Sequence, residues 1–151
     1  MTFQPLQKYK ILIVEDDSVM REMLAIDFTN KGYDVETAEG AIEAMGLIQD
    51  QEFHVILSDY RMPEGDGLQL LHELNKFKEQ SNFYKTSSLF FMLTGYSDTP
   101  PQELMAQGIC QVFSKPFDRK KMHTVIKEQL LIVHTHDSNQ GNLVDHKKPA
   151  A

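Results

Sequence analysis

Four groups of polar residues stand directly after apolar stretches of this chain, where their side chains could do chemistry. An acidic triplet at residues 15–17 follows ILIV, Asp59 follows VILS, Thr94 follows FFML and Lys115 follows QVFS. Two carboxylates 4 Å apart repel each other by about 4 kcal/mol at an effective dielectric of 20. A cluster of such acids therefore needs a bound proton or a hard cation, and Mg²⁺ suits a site of few carboxylates that keeps several waters.

Together these groups would suit the chemistry of a phosphoryl group. A hydroxyl at Thr94 and an ammonium at Lys115, beside a metal, would surround the oxygens of a tetrahedral dianion. The Asp59 carboxylate could then attack phosphorus, since carboxylates serve as covalent phosphoryl acceptors. Simpler interpretations exist, because residues 15–17 could be the acidic start of a helix and Asp59 could end a strand before a turn. The fold must decide whether the groups meet.

Apolar periodicity divides the chain into alternating strands and helices. The predicted strands are residues 10–14, 33–38, 54–59, 87–94 and 110–114. The predicted helices are residues 18–32, 41–51, 67–77, 100–108 and 118–133. This alternation predicts an α/β, doubly wound fold with a five-stranded parallel sheet and right-handed crossovers. Sites in such sheets lie at the carboxyl ends of the strands, so all four polar groups should share one edge.

Composition excludes several classes of function. The 151 residues, 41% of them hydrophobic, are enough for one domain with an ordinary core. A net charge of −7 and a pI near 5.3 disfavour binding to nucleic acid or to anionic membranes. The single cysteine, Cys110, cannot form an internal disulfide, and no apolar run has the length of a membrane span. We expect a cytoplasmic protein without direct nucleic-acid or membrane contacts.

The alternating pattern also predicts the domain boundaries. Residues 10–133 are expected to form one domain, preceded by an extension at residues 1–9. Residues 134–151 are polar and without periodicity, which predicts a disordered tail. Residues 76–88 form a long polar connector, which we expect to extend the third helix before a loop.

Four separated motifs occur in the order of the predicted elements: EDD (15–17), SDYRMPEGDG (58–67), LTG (93–95) and SKPF (114–117). Each motif alone is weak, but their joint occurrence is specific. Together they closely resemble the receiver domain of two-component response regulators, of the kind found in chemotaxis response regulators, over roughly residues 8–133. The resemblance implies a flavodoxin-like (βα)5 fold with strand order 2-1-3-4-5.

The resemblance also implies a role for each acid. Asp59 would accept a phosphoryl group from a histidine of a sensor kinase or of a histidine phosphotransfer protein. Asp16, Asp59 and the backbone carbonyl of Arg61 would bind Mg²⁺, and Glu15 would act through a coordinated water. Because the transfer is loose and metaphosphate-like, the protein mainly positions groups and neutralises charge. It would be a signalling domain, not an enzyme with other substrates, that catalyses its own phosphorylation and dephosphorylation.

Four further positions, and Arg61 a second time, take implied roles from the same resemblance. Thr94 and Lys115 would contact the bound phosphoryl group, and the peptide bond that follows Lys115 is expected to be cis. Arg61 and Tyr96 occupy positions that in this family modulate how long the acyl phosphate survives. Gly95 would leave room beside the pocket for the donor histidine.

One position departs from the family pattern. Residue 112 is Val where the family has Tyr or Phe, and Phe113 should point to the other face of the sheet. A relay through an inward-turning ring is therefore not expected. The surface formed by the fourth helix, the fifth strand and the fifth helix would signal through smaller movements or another contact. A homodimer would use the same surface, and further partners would be a downstream effector or an output domain outside this sequence.

Three other classes of protein compete with this interpretation. A haloacid-dehalogenase-type phosphatase also uses a strand-end aspartate and Mg²⁺, but it needs a second aspartate where this chain has Arg61. A receiver-like module that no longer takes phosphate usually lacks one of the acids or the lysine, and all are present here. A flavodoxin-like cofactor binder would need a phosphate-binding loop after the first strand, where the sequence EDDS would repel such a ligand.

Overall fold

Strands and helices alternate from Lys10 to Asp145, in the order that the sequence predicted. The structure, a computed structural model, describes residues 8–82, 84, 87–95 and 99–145, with side chains up to residue 133. The strands are β1 (Lys10–Val14), β2 (Asp34–Ala38), β3 (Val55–Asp59), β4 (Leu89–Thr94) and β5 (Gln111–Ser114). The helices are α1 (Ser18–Asn30), α2 (Ala41–Asp50), α3 (Gly67–Gln80), α4 (Pro101–Met105) and α5 (Arg119–Asp145).

The five strands form one parallel sheet in the order β2-β1-β3-β4-β5. The order reverses direction at β1, which lies between β2 and β3, so the sheet is doubly wound and the predicted fold is confirmed. Every residue of β3 and β4 is buried, which explains why their sequences are continuously apolar and do not alternate. The sheet edge where β1 and β3 end is the expected position of a site.

One face of the sheet packs against α2, α3 and α4. Inward-facing residues of the strands and helices form a single apolar cluster there. Its members include Leu12, Ile56, Phe90, Met92, Ile48, Phe53, Leu70, Leu74 and Leu104. This packing fixes the strands that carry the polar strand-end residues, so the positions of those residues follow from the core.

The helices beside the acidic edge begin at aspartate caps. Asp17 accepts hydrogen bonds from the backbone N–H groups of Val19 and Met20 at 2.9 and 3.1 Å and so caps α1. Asp66 caps α3 in a reciprocal capping box with Gln69. These caps end the loops after β1 and β3 at defined residues, and they therefore limit how far the loop side chains can move.

The prediction for the end of the last helix was wrong. We expected α5 to end near Val133 and residues 134–151 to be disordered, but α5 continues to Asp145. Residues 146–151 lie outside the described residues, so their disorder stays a prediction. No proline interrupts residues 134–145, and extending an existing helix costs far less than starting one. Helix α5 lies in a second compact unit, residues 117–151, whereas the sheet and α1 to α4 lie in residues 1–116.

The connector after α3 is held by a hydrogen-bonded tyrosine. As predicted, α3 extends into the connector, where it ends at Gln80. The hydroxyl of Tyr84 accepts from the backbone N–H of Phe53 at 2.8 Å and lies 2.7 Å from Ser88 Oγ. Ser88 donates in turn to the carbonyl of Phe53 at 2.6 Å. Tyr84 and Ser88 are therefore held at the amino ends of β3 and β4, away from the acidic residues.

Candidate acidic site at the carboxyl end of the sheet

The acids that follow β1 and β3 meet because these two strands are paired. Val14 lies opposite Ser58 in the parallel register, so the next residues of both strands emerge at the same edge. One carboxylate oxygen from each of Glu15, Asp16 and Asp59 lies within 4.8 Å of the other two. The predicted convergence of the three acids is confirmed, while their chemical roles stay predictions.

Lys115 places an ammonium group beside two of these acids. Its Nζ lies 3.2 Å from Asp59 Oδ2 and 3.4 Å from Glu15 Oε2. The backbone N–H of Lys115 donates to the carbonyl of Thr94 at 2.7 Å, which continues the pairing of β4 with β5 and sets where the side chain begins. The Lys115–Pro116 peptide bond is cis, as the sequence predicted. The side chain thus reaches from the end of β5 to the end of β3.

Burial and like charges shift the pKa of the acid at the centre of the site. Glu15 is only 1% exposed, and this burial together with the negative charge of Asp59 raises its pKa to about 7. Burial alone would lower the pKa of Lys115, but the charges of Glu15 and Asp59 outweigh it and raise that pKa. The site therefore carries more negative charge than one lysine compensates.

The residues present fit a hard divalent cation. Three carboxylates supply oxygen ligands. Burial, and after it the charge of Asp59, raises the pKa of Glu15, and a cation beside this carboxyl group would favour its charged form. Asp59 is buried, whereas Asp16 is exposed, so one side of the cluster is open to the waters that Mg²⁺ keeps in proteins. Asp17, the third acid of the EDD motif, caps α1 with its carboxylate and is not a member of the cluster.

Thr94 presents a buried hydroxyl at the same edge. The residue is 6% exposed, and its Oγ1 has no hydrogen-bond partner among the described residues. A buried polar group without a partner costs about 1–3 kcal/mol. Thr94 also lines a cavity of about 210 Å³ together with Gly95, Thr99 and Val112. The hydroxyl is therefore available to a ligand that enters the site.

The backbone of Asp59 lies very close to Gly67, the first residue of α3. A Cβ at Gly67 would lie 2.7 Å from the carbonyl oxygen of Asp59 and 3.0 Å from Met92 Cε, so no larger residue fits. The N–H of Gly67 donates to the carbonyl of Tyr60 at 2.8 Å. Its place at the start of α3, directly after the Asp66 cap, was the signal that could have indicated close helix–strand packing.

The structure gives less information about the roles of the remaining predicted site residues. Arg61 is exposed in the loop between β3 and α3, and the role of its carbonyl stays a prediction. A Cβ at Gly95 would lie 3.8 Å from Lys115 Cδ, an ordinary contact, so sterics at this edge do not require glycine. Tyr96 lies outside the described residues.

The faces of β5 are those that the sequence predicted. Val112 is half-buried against the apolar cluster on the α2 and α3 side. Phe113 points to the opposite face, where its ring stacks on Phe91 with centroids 6.0 Å apart. The side chain beside the Thr94 cavity is therefore an aliphatic one, and the large ring of β5 lies behind the sheet.

Comparison with known families places this fold and site in one class. The family model described as "Response regulator receiver domain" matches residues 11–127, most of the chain. The protein belongs to the response regulator receiver domain family, the receiver component of two-component signalling. Receiver domains act in phosphorylation-based signalling, interact with histidine kinases and effectors, and bind Mg²⁺ at an acidic site. The chain is therefore a signalling domain.

Individual relatives agree with this assignment. A probable chemotaxis protein CheY of Rhizobium etli is 31% identical over 123 residues, which cover 80% of this chain and 92% of the relative. Other relatives are transcriptional regulatory proteins of Escherichia coli, 28% identical, and the chain spans only about a quarter of their length. No helix in the described part of the chain combines the length and apolar character of a membrane span.

Solved structures show the same fold. A CheY-like receiver domain from Methanospirillum hungatei superposes with a TM-score of 0.75 at 25% identity, covering 86% of this chain and 99% of the other. The response regulator TrrA from Thermotoga maritima, solved in complex with Mg²⁺-BeF, has a TM-score of 0.67 at 25% identity and covers 80% of this chain and 97% of its own.

Proposed function

We propose that Asp59 is the phosphoryl acceptor and that a phosphohistidine on a partner protein is the donor. The observation that carries this proposal is the contact of Asp59 with Lys115 at 3.2 Å inside a cluster of three acids. A buried carboxylate held between a cation site and an ammonium can accept a group whose oxygens need positive charge on two sides. The donor would be a sensor histidine kinase or a histidine phosphotransfer protein.

Mg²⁺ would be held by Asp16, Asp59 and the carbonyl of Arg61, with Glu15 acting through a water. When bound, the cation supplies neutralisation of the charge on the phosphoryl oxygens. The open side of the cluster at Asp16 supports this assignment, because waters complete the coordination of Mg²⁺ in most protein sites.

The chain's own residues carry the transfer step. A carboxylate oxygen of Asp59 forms the new O–P bond while the P–N bond to the donor imidazole breaks, and the bonding pair stays on that nitrogen. Lys115 attracts the oxygens of the transferred group, and the Thr94 hydroxyl donates to one of them. Dephosphorylation reverses the outcome: water attacks phosphorus and the O–P bond breaks, leaving Asp59 as a carboxylate.

The position of Arg61 suits control of that hydrolysis. It is exposed two residues after the acceptor, where its bulk would hinder an approaching water. Together with Tyr96 it is proposed to lengthen the life of the acyl phosphate. Replacing both with alanine should speed the decay of the phosphorylated protein, and an unchanged decay rate would reject this role.

Labelling with a small phosphodonor tests the proposal. With acetyl phosphate and Mg²⁺, the wild-type protein should gain one phosphoryl group that is stable in acid and released by base or hydroxylamine. Asp59→Asn should abolish the labelling. Asp50→Asn, a matched change at an exposed position on α2, should leave it intact. Full labelling of Asp59→Asn would assign the acceptor to another residue.

The signalling output stays at the level of a proposal. We propose that phosphorylation of Asp59 changes the surface that a downstream effector or an output domain reads. Homodimer formation and a cytoplasmic location are consistent with this role and stay predictions. Profiling phosphotransfer from a set of purified histidine kinases would identify the donor, because specificity lies in surface complementarity.

A further inference from the structure

Arg21, the fourth residue of α1, contacts the loop after β1, which carries Glu15 and Asp16. Its Nη1 donates to the carbonyl of Glu15 at 2.9 Å and to the carbonyl of Asp16 at 3.5 Å. Its Nη2 lies 3.5 Å from Glu39 Oε1, just after β2. One guanidinium thus bridges the loop after β1 and the loop after β2.

These contacts add to the support that the loop after β1 receives from the Asp17 cap. The N–H of Glu15 still pairs with the carbonyl of Ala38 at 3.1 Å, but β1 ends at Val14 and α1 begins only at Ser18. The peptide groups between those elements set the directions in which the two acidic side chains leave the backbone. Nη1 of Arg21 makes both carbonyl contacts, while Nη2 of the same planar group lies beside Glu39.

The ion pair with Glu39 contributes less than the carbonyl contacts. The Glu39 side chain is 74% exposed, whereas that of Arg21 is only 18% exposed. Exposed ion pairs contribute little because water screens them and both side chains lose freedom. The half-buried hydrogen bond to Glu15 is the shorter contact and the better shielded one.

We infer that Arg21 is a positioning residue of the cation site: through the backbone of Glu15 and Asp16 it holds their carboxylates where they meet Asp59. This inference rests on the proposed function of the acidic cluster. Partners that orient metal ligands commonly change metal affinity by tenfold or more when they are removed. Arg21 would act in the same way, although it contacts the backbone carbonyls of Glu15 and Asp16 and not their carboxylates.

The direction in which Mg²⁺ affinity changes when Arg21 is replaced distinguishes a positioning role from a simple charge effect. Arg21 is cationic, so by charge alone its removal would strengthen the binding of Mg²⁺ to a nearby acidic site. Loss of positioning has the opposite sign, because the carboxylates would no longer be held together. A role in folding alone would lower stability and leave the affinity for Mg²⁺ unchanged.

Calorimetric titration with Mg²⁺ tests the inference without any phosphodonor. Arg21→Met should weaken binding about tenfold. Arg21→Lys keeps the charge but ends in a single nitrogen on a shorter side chain, and it should also weaken binding. Glu39→Gln is the matched control and should bind within about twofold of wild type, since it removes only the exposed pair. Binding by Arg21→Met or Arg21→Lys as tight as wild type or tighter would overturn the inference, as would an equal loss in Glu39→Gln.

A second measurement uses labelling by acetyl phosphate at increasing Mg²⁺. The Arg21→Met curve should shift to higher Mg²⁺ by the same factor as the dissociation constant and approach the wild-type rate at saturation. A lowered rate that Mg²⁺ does not restore would overturn the positioning role. Failure of the wild-type protein itself to bind Mg²⁺ or take label would instead reject the proposed function, so the two failures are distinguishable.

Discussion

The two ends of the sheet treat their polar groups in opposite ways. At the amino ends of β3 and β4, the hydroxyls of Tyr84 and Ser88 and the backbone of Phe53 satisfy one another within 3.3 Å. At the carboxyl ends, three acids share one lysine, and the buried Thr94 hydroxyl has no partner among the described residues. The groups of the first network are uncharged and paired, and they define the neutral end of the sheet. The groups at the carboxyl ends include charged side chains and an unpaired hydroxyl, and they define the charged end.

This difference indicates that the polar groups at the amino ends stabilise the fold, whereas those at the carboxyl ends are arranged to bind a ligand. Satisfied buried hydrogen bonds rigidify a structure, whereas uncompensated charge and an unpaired hydroxyl destabilise it until something binds. The core under both ends is the same apolar cluster, so the contrast comes from the strand-end residues alone. Substitutions at the two ends should therefore separate stability from phosphoryl chemistry.

The largest expected effect is the loss of the shared lysine at the charged end. Lys115→Met removes the ammonium that lies 3.2 Å from Asp59, and the initial rate of labelling by acetyl phosphate should fall about a hundredfold. Lys31→Met, an exposed lysine after α1, is the control and should label at the wild-type rate. Labelling of Lys115→Met at close to the wild-type rate would remove Lys115 from the site.

A substitution beside the backbone of Asp59 should affect both stability and the labelling rate. Gly67→Ala would place a methyl group 2.7 Å from the Asp59 carbonyl, so the end of β3 or the start of α3 must shift, at a cost of about 1–3 kcal/mol in the free energy of unfolding. The labelling rate should fall as well, because Asp59 moves. Urea unfolding and initial labelling rates measure the two effects.

Gly46→Ala is the matched control for that substitution. No atom lies within 4 Å of a Cβ at Gly46, and alanine is the better helix former inside α2, so this variant should gain about 0.5–1 kcal/mol. If Gly67→Ala were stabilising like Gly46→Ala, the close approach of α3 to Asp59 would be wrong.

At the neutral end, the expected effect is confined to stability. Tyr84→Phe leaves the buried N–H of Phe53 without its acceptor and should lower the free energy of unfolding by about 1–2 kcal/mol. Affinity for Mg²⁺ and the labelling rate should stay at wild-type values when measured well below the unfolding transition. A lower rate with unchanged stability would show that the two ends are coupled.

The smallest expected effect is the pH dependence that arises from Glu15. Because its pKa is raised to about 7 in the fold, the folded protein keeps a proton that the unfolded chain releases above about pH 4.5. Stability without Mg²⁺ should therefore fall as pH rises through that window. Glu15→Gln should flatten this fall, because glutamine does not bind the proton. Parallel profiles for the two proteins, from urea unfolding at several pH values, would contradict this origin.

More of the charged end than of the neutral end could be predicted from the sequence. The acids, the threonine and the lysine are far apart in the sequence, but each follows a strand. The carboxyl ends of parallel strands lie at one edge of the sheet, so the proximity of Asp59 and Lys115 could be predicted. Tyr84 was not identified, because a single tyrosine in a polar connector has no periodicity that indicates its partner.

Three other features could not be read from the sequence for physical reasons. The contacts of Arg21 depend on the direction of a long side chain, and an arginine in the first turns of a helix usually indicates a solvated position. The steric role of Gly67 depends on how closely α3 approaches β3. The continuation of α5 past Val133 depends on helix propagation in a polar segment, where apolar periodicity gives no indication.

The most direct test of the central claim locates the phosphoryl group in the chain. Reduction of the labelled protein with borohydride converts an aspartyl phosphate to homoserine, and peptide mass spectrometry then identifies the residue. The expected result is homoserine at position 59, dependent on Mg²⁺ and absent from unlabelled protein. Homoserine at Asp16 or at another acid, with Asp59 unmodified, would contradict the account.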